Sequence, residues 1–255
     1  MLVNFLKQFL NKPVFIVLGI KLLYFIYMNI LLSNDDGYMS TGINLLLEKL
    51  KKYGKVVVVA PKNAMSAKSI SITLGKPIQV QKIDENIYAV DGTPADAVAF
   101  GLSSLDIKFD LVVSGCNHGW NISYDTMYSG TIGVCLQALT YEVPAIAISC
   151  EGNFEILTGN FEKVMDYIFK NKLLSKEYLL NVNFPLGNIV EDIKMTSLYY
   201  RKETTYYIHQ SENNYLAWRD LHDEECEEID TDVYAVQHRM ISITKLYKTN
   251  DLKEI

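Results

Sequence analysis

From residue 28 onward the chain alternates apolar runs of strand length with segments whose apolar positions recur every three or four residues. This is the pattern of parallel strands joined by crossover helices. Ile30 to Ser33 predicts a first buried strand. Thr41 through Tyr53 places Ile43, Leu46, Leu47 and Leu50 on one helical face, with Lys49, Lys51 and Lys52 near its C-terminal end and Gly54 closing it. The largely β-branched run Val56 to Ala60 reads as a central strand covered on both faces, and Pro61 stops it. Thr93-Pro94-Ala95-Asp96 predicts a helix start, with threonine as cap, proline in the first turn and an acid where the helix dipole favours one. Leu111 to Ser114, Ala145 to Cys150 and Tyr178 to Phe184 read as further core strands. They are separated by helices over Gly130 to Tyr141 and about Phe154 to Leu174.

Two regions break the pattern. Residues 70 to 90 alternate apolar and polar, which predicts a β excursion. After Pro185 the signal weakens into short strand-like pieces, a tyrosine-rich stretch and an acidic run from Asp220 to Asp232, until Met240 to Leu246 alternates like an edge strand. No internal repeat or linker divides the chain. The expectation is one α/β domain over residues 28–250 with an irregular C-terminal arm over about 186–250. Residues 1–27 stand apart as an apolar extension. The stretch from Pro13 to Tyr27 contains Lys21, is too short for a spanning helix, and lacks the small-residue pattern of a signal cleavage site. Met28 is read as the functional start, with the preceding segment an upstream over-call or a poorly specified extension. The alternative is an amphipathic helix packed on the domain.

Composition narrows the function. Twenty-four basic against thirty acidic residues give a net charge of -6, so no field draws in a nucleic-acid backbone. The four cysteines form no C-x-x-C pair, which argues against a disulfide framework or a zinc site and for a reducing cytoplasm; with no confident span in the N-terminal stretch, no membrane partner is expected.

Ligands on open α/β sheets bind beyond the carboxyl ends of the strands. After the first strand stands Ser33-Asn34-Asp35-Asp36-Gly37, where two adjacent carboxylates can serve one centre only if the chain turns, as Gly37 allows. Paired hard oxygen donors suit Mg²⁺ or Mn²⁺, although Asp and Gly are also ordinary turn residues. After the second strand come Ala60-Pro61 and, five residues on, Ser66. After Ser114 the loop Gly115-Cys116-Asn117-His118-Gly119-Trp120-Asn121 leads to Tyr128-Ser129-Gly130-Thr131 at a helix start. Its amides, hydroxyls and backbone N–H groups form a neutral anion cradle, or simple turn chemistry. No G-x-G-x-x-G follows the first strand, and no P-loop or G-x-S-x-G elbow occurs. Nicotinamide, P-loop and serine-hydrolase chemistry are therefore set aside.

Together with Asp91-Gly92-Thr93-Pro94-Ala95-Asp96, Leu180-Asn181-Val182-Asn183-Phe184-Pro185 and Thr231-Asp232, these motifs stand in the order and spacing of the SurE family of nucleotidases, which the chain closely resembles over about residues 28–246. The resemblance implies a three-layer α/β/α Rossmann-like sheet with a β-hairpin C-terminal arm. It also implies a cytoplasmic, divalent-metal-dependent phosphatase of nucleoside 5′- and 3′-monophosphates, some members also clipping polyphosphate. The partners implied are the nucleotide and a second copy, in a homodimer or tetramer with exchanged arms. Carried over by position, Asp35, Asp36, Ser66 and Asn117 would hold one Mg²⁺ or Mn²⁺ per subunit. Asp35 and Asp36 would be catalytic, and Asn34, Asn121, Ser129, Gly130 and Thr131 would line the phosphate side. Three departures stand out: Gln137 where the family usually has glutamate, Cys116 before Asn117, and an arm segment Tyr215-Leu216-Ala217-Trp218 that only loosely echoes the family's. The competing reading is a metal-dependent nucleotide- or phosphate-binding module with little turnover.

Overall fold

The computed structural model describes residues 14–18, 21–25, 27–221 and 225–248. Strand β3 (Met28–Ser33) is the middle of the architecture: β4 (Gly54–Pro61) pairs parallel on one side and β7 (Leu111–His118) parallel on the other. The chain runs outward through β4 to β6 (Ile87–Asp91) and the antiparallel β5 (Gln79–Asp84). It then returns across β3 to lay down β7, β8 (Ala145–Cys150) and β9 (Tyr178–Phe184) in parallel. The strand order therefore reverses at β3 and β7, the position at which an open α/β sheet parts its loops into a crevice.

Helices cover both faces because every strand from β3 to β9 that runs through the middle is apolar on both sides. On one face α1 (Thr41–Leu50) and α5 (Glu155–Lys170) bury Ile43, Leu46, Phe161 and Met165 against Ile30, Leu32, Val58 and Ile148. On the other, α2 (Pro94–Ser104) and α4 (Gly130–Thr140) bury Ala97, Val98, Ile132 and Leu139 against Leu31, Val57, Val59 and Val112. The result is the expected three-layer α/β/α order. Burying such side chains is worth about 1.5–3 kcal/mol each for the larger ones, which makes this double core the main source of stability.

The C-terminal part is more regular than the sequence suggests. Strand β10 (Asp192–Thr196) pairs parallel with β13 (Met240–Tyr247), which pairs antiparallel with β9, so the sheet is nine-stranded in the order β10-β13-β9-β8-β7-β3-β4-β6-β5. Met240 to Leu246 is therefore not an edge strand. Its inward-facing Ile241 and Ile243 are fully buried, and β10 takes the edge instead. Only β11 (Glu203–Ser211) and β12 (Asn214–Leu221) project as an antiparallel hairpin, before α3 (Asp125–Tyr128) is met again through side chains and α6 (Asp232–Gln237) returns the chain to β13. Strands β1 (Val14–Leu18) and β2 (Lys21–Phe25) pair antiparallel, where the sequence allowed a helix.

The β excursion predicted for residues 70 to 90 exists only from Gln79 onward. Ile70, Ile72 and Leu74 are exposed and unpaired as strand, because side chains rather than a sheet neighbour fix this loop. The Asp96 carboxylate accepts from the Thr73 amide (2.8 Å) and hydroxyl (2.7 Å) and from the Thr93 amide (2.9 Å), while Thr93 Oγ1 donates to the Ser71 carbonyl (2.6 Å). Thr93 and Asp96 also form a capping box on α2. Burial alone would raise the Asp96 pKa, but the Thr73 and Thr93 donors outweigh it and hold the carboxyl below its ordinary value. Asp96→Ala should cost roughly 2 kcal/mol, from a lost cap plus an orphaned Thr73 amide. Urea unfolding of the two proteins checks it, and a loss below about 0.5 kcal/mol would mean that the loop is held by something else.

Candidate active site

The site begins with a turn that the sequence encodes locally. Asn34 is fully buried, and its Nδ2 donates to the Gly37 carbonyl (3.0 Å) and to Ser40 Oγ (2.8 Å) while its Oδ1 accepts from the Gly37 amide (3.2 Å). Gly37, at φ +97°, closes the turn in a region that side-chain-bearing residues rarely adopt. Ser40 in turn caps α1. The amide of Asn34 is thus committed to shaping the turn that carries the two carboxylates.

The turn sends the two adjacent carboxylates in different directions. Asp35 faces the start of α4, where Thr131 Oγ1 donates to its Oδ1 (2.5 Å) and the Gly130 amide adds a second donor. A Cβ at Gly130 would stand 2.7 Å from Asp35 Cβ and 2.9 Å from its Oδ2, so only glycine lets the helix come this close. Asp36 is half-buried and receives the backbone amide of His118 at the end of β7. Burial pushes the Asp35 carboxyl up to about 6, with Thr131 pulling it down, the neighbouring Asp36 charge pushing it further up and the Gly130 amide opposing. Burial likewise raises Asp36, against the donation from His118.

Two further loops close on this pair. The Asp35 carbonyl accepts from the Met65 amide (2.7 Å), which pins the loop after β4 and leaves the neighbouring Ser66 exposed. Asn117 is the penultimate residue of β7 and not part of a loop, since the strand runs on to His118 past a bulge between Ser114 and Asn117. Its Nδ2 donates to the Gly119 carbonyl (2.8 Å), leaving Oδ1 for another partner. Ser129 caps α4 by accepting from the Ile132 amide (3.2 Å), and Gly130 and Thr131 form its first turn with the dipole directed at Asp35. Asn121 is held farther along the crevice. Its amide donates to Asn183 Oδ1 (2.8 Å), its carbonyl accepts from Asn181 (2.7 Å) and Asn183 (3.1 Å), and its side chain donates to Ser149 Oγ (2.8 Å).

The sequence reading did not give roles to Ser149, Asn181 and Asn183, which fix Asn121, or to the backbone amides of Met65 and His118. Asn181 and Asn183 at alternate positions of an apolar strand were a usable signal, since same-face asparagines in a core strand need partners. Backbone amides leave no trace in residue identity.

Among the described residues no group of three or more His, Cys, Asp and Glu gathers. The available donor set is two carboxylates, a hydroxyl and an amide oxygen. Two adjacent carboxylates, one of them nearly buried with its pKa lifted toward neutrality, have unmet negative charge that a hard divalent cation would satisfy, so the residues fit Mg²⁺ or Mn²⁺ better than a softer ion.

Residues 30–205 match the family model of survival protein SurE. The chain belongs to the SurE family. It is 38% identical over 230 residues to the 5′-nucleotidase SurE of Actinobacillus succinogenes, covering 86% of this chain and 92% of that protein. It is 33% identical over 250 residues to the 5′-nucleotidase SurE of Clostridium botulinum strain Eklund 17B, covering 89% and 99%. The crystal structure of SurE from Aquifex aeolicus superposes with a TM-score of 0.76 at 36% identity, covering 89% of this chain and 96% of that one. Of the departures from the SurE pattern, Cys116 is fully buried in the β7 bulge and Gln137 lies partly buried on α4.

The raised Asp35 pKa has a sign that can be measured. Below its unfolded value of 3.8 the carboxyl is protonated in both states and costs nothing; the penalty grows between 3.8 and about 6 and is complete above that. In metal-free protein Asp35→Asn should therefore stabilise the fold by about 2 kcal/mol at pH 7.5, the gain shrinking as the pH falls through 6 and vanishing near 4. Urea unfolding in chelator across that range checks it, and a gain independent of pH would contradict the assignment.

Proposed function

We infer that the chain is a phosphoric monoester hydrolase that releases phosphate from nucleoside monophosphates, a 5′-nucleotidase. The observation that carries this reading is the pair of partly desolvated carboxylates at the strand-order reversal, one of them held by a helix N-terminus. Relatives named 5′-nucleotidase SurE, 33–38% identical over most of the chain, support the same reading.

The geometry supports one division of labour. Asp35, Asp36, Ser66 and the Asn117 amide oxygen would hold one divalent cation, Mg²⁺ or Mn²⁺. When bound it supplies the positive charge that lets a phosphate dianion and a nucleophile approach the acids. Thr131 and Gly130 fix Asp35 so that one of its oxygens stays directed at the centre. Asp36, with a single backbone donor and greater exposure, is the carboxylate free to take the proton of the attacking water. The Ser129 hydroxyl and the positive end of the α4 dipole face the non-bridging phosphate oxygens, where charge builds in the transition state, while the Gly130 and Ile132 amides are engaged by Asp35 and Ser129. Asn121 closes the far side of the cradle, and Asn34 serves as a positioning residue under the turn.

The wider expectations rest on different features. Arm exchange in a homodimer or tetramer is supported by the β11–β12 hairpin, which exposes Tyr207, Tyr215 and Trp218 beyond the domain. A reducing cytoplasm is supported by four free, buried cysteines. Among the described residues no helix is long and apolar enough to cross a membrane. The 3′-monophosphates and polyphosphate extend the substrate class on the resemblance alone.

Phosphate release from a panel of nucleoside monophosphates, with and without chelator, tests the scheme. Chelator and Asp36→Asn should each lower turnover more than a hundredfold, and added Mn²⁺ should rescue the first and not the second. Turnover that survives both would sink it. Metal-dependent nucleotide binding without product would favour the binding-module reading.

A further inference from the structure

The two acids divide the crevice into unlike halves. Asp35 faces hydroxyls and amides at α4, whereas Asp36 is bonded to the amide of His118, whose imidazole stands exposed at the strand end. That ring meets Phe154, the residue before α5, edge to face at 5.9 Å between centroids and 72° between planes. Phe154 packs its inner side on the core of the α1 and α5 face, so the pair is backed rather than free to swing. The Gly119 amide donating to the Cys150 carbonyl (3.0 Å) ties the ends of β7 and β8 together. No hydrogen bond to another described residue engages the imidazole nitrogens, and neither ring is used by the hydrolytic scheme.

We propose that His118, braced edge to face by Phe154, forms the nucleobase ledge of this site, an aromatic face beside Asp36 on which the base of a nucleotide stacks while its phosphate lies against α4. The proposal rests on the nucleotidase reading for the placement of the phosphate. Its own content is that the chain recognises the nucleoside half by ring contact. Stacking tolerates any base, because every base presents a π face, and it adds affinity without needing charge. A monoester with an aliphatic leaving group has nothing to lay on the ledge, so the pair would select nucleotides from other phosphate esters.

Adenosine carries no phosphate, so its binding to the full chain in Mn²⁺ buffer reads the ledge apart from catalysis. Isothermal titration should show the dissociation constant rising about tenfold in His118→Ala and staying within about threefold in His118→Phe, which keeps a ring but no imidazole. In the same variants the ratio of kcat/KM for AMP to that for glycerol 2-phosphate should fall about tenfold in His118→Ala and recover in His118→Phe. Unchanged adenosine affinity in His118→Ala, no adenosine binding by the unmodified chain, or failure of His118→Phe to recover would overturn the ledge. Ring-dependent adenosine binding without phosphate release would keep it and sink the hydrolase reading; phosphate release with a constant substrate ratio would do the reverse.

Discussion

Two like charges on consecutive residues, partly out of water, are an unfavourable arrangement, and most of the site is organised around tolerating it. Asp35 is kept in place by a hydroxyl and an amide from the first turn of α4, and Asp36 by an amide from the end of β7. These donors oppose the desolvation of Asp35 without cancelling it, since its carboxyl still titrates near 6. The remaining deficit is the physical reason that a cation belongs there. An anion could approach the same spot only after the charge had been balanced.

The sheet supplies the rigidity that such an arrangement needs. The turn from Asn34 to Gly37 leaves β3 where β4 and β7 flank it, so loops from three adjacent strand ends reach one point. Each loop is tied down separately. Met65 is bonded to the Asp35 carbonyl, Thr73 to Asp96, and Asn121 to three side chains from β8 and β9. Functional groups held by bonds to regular elements are placed more accurately than groups on free loops. The cost of burying acids is carried by the large apolar core on both faces of the sheet.

The C-terminal region reaches the crevice from outside. Arg219 on β12 bonds both Asp125 (2.9 Å) and Glu203 (2.6 Å), and its guanidinium lies 5.1 Å from the Tyr128 ring, one residue before the α4 cap. Arg201 reaches Asp125 as well (2.8 Å), and buried Asp232 accepts from the amides of Ser123 and Tyr199. The segment that leads into the phosphate-facing helix is therefore fastened to the base of the arm.

Much of this was legible in one dimension. The strand and helix periods, the Thr93-Pro94-Ala95-Asp96 cap and the glycine-permitted turn at Gly37 are local, because each depends on residues a few positions apart. The same holds for which strand ends carry polar residues, and hence for the identity of the acids, the serine and the asparagines. Decisions made by distant partners were not legible. Met240 to Leu246 is an interior strand only because β10 pairs on its outer side, and Ile70 to Leu74 form no strand where Asp96 holds Thr73. The direction of each carboxylate was settled by amides of Gly130 and His118, groups that every residue but proline carries and no letter of the sequence marks. Sequence named the chemical groups; the long-range pairing of backbone and side chains decided which of them face one another.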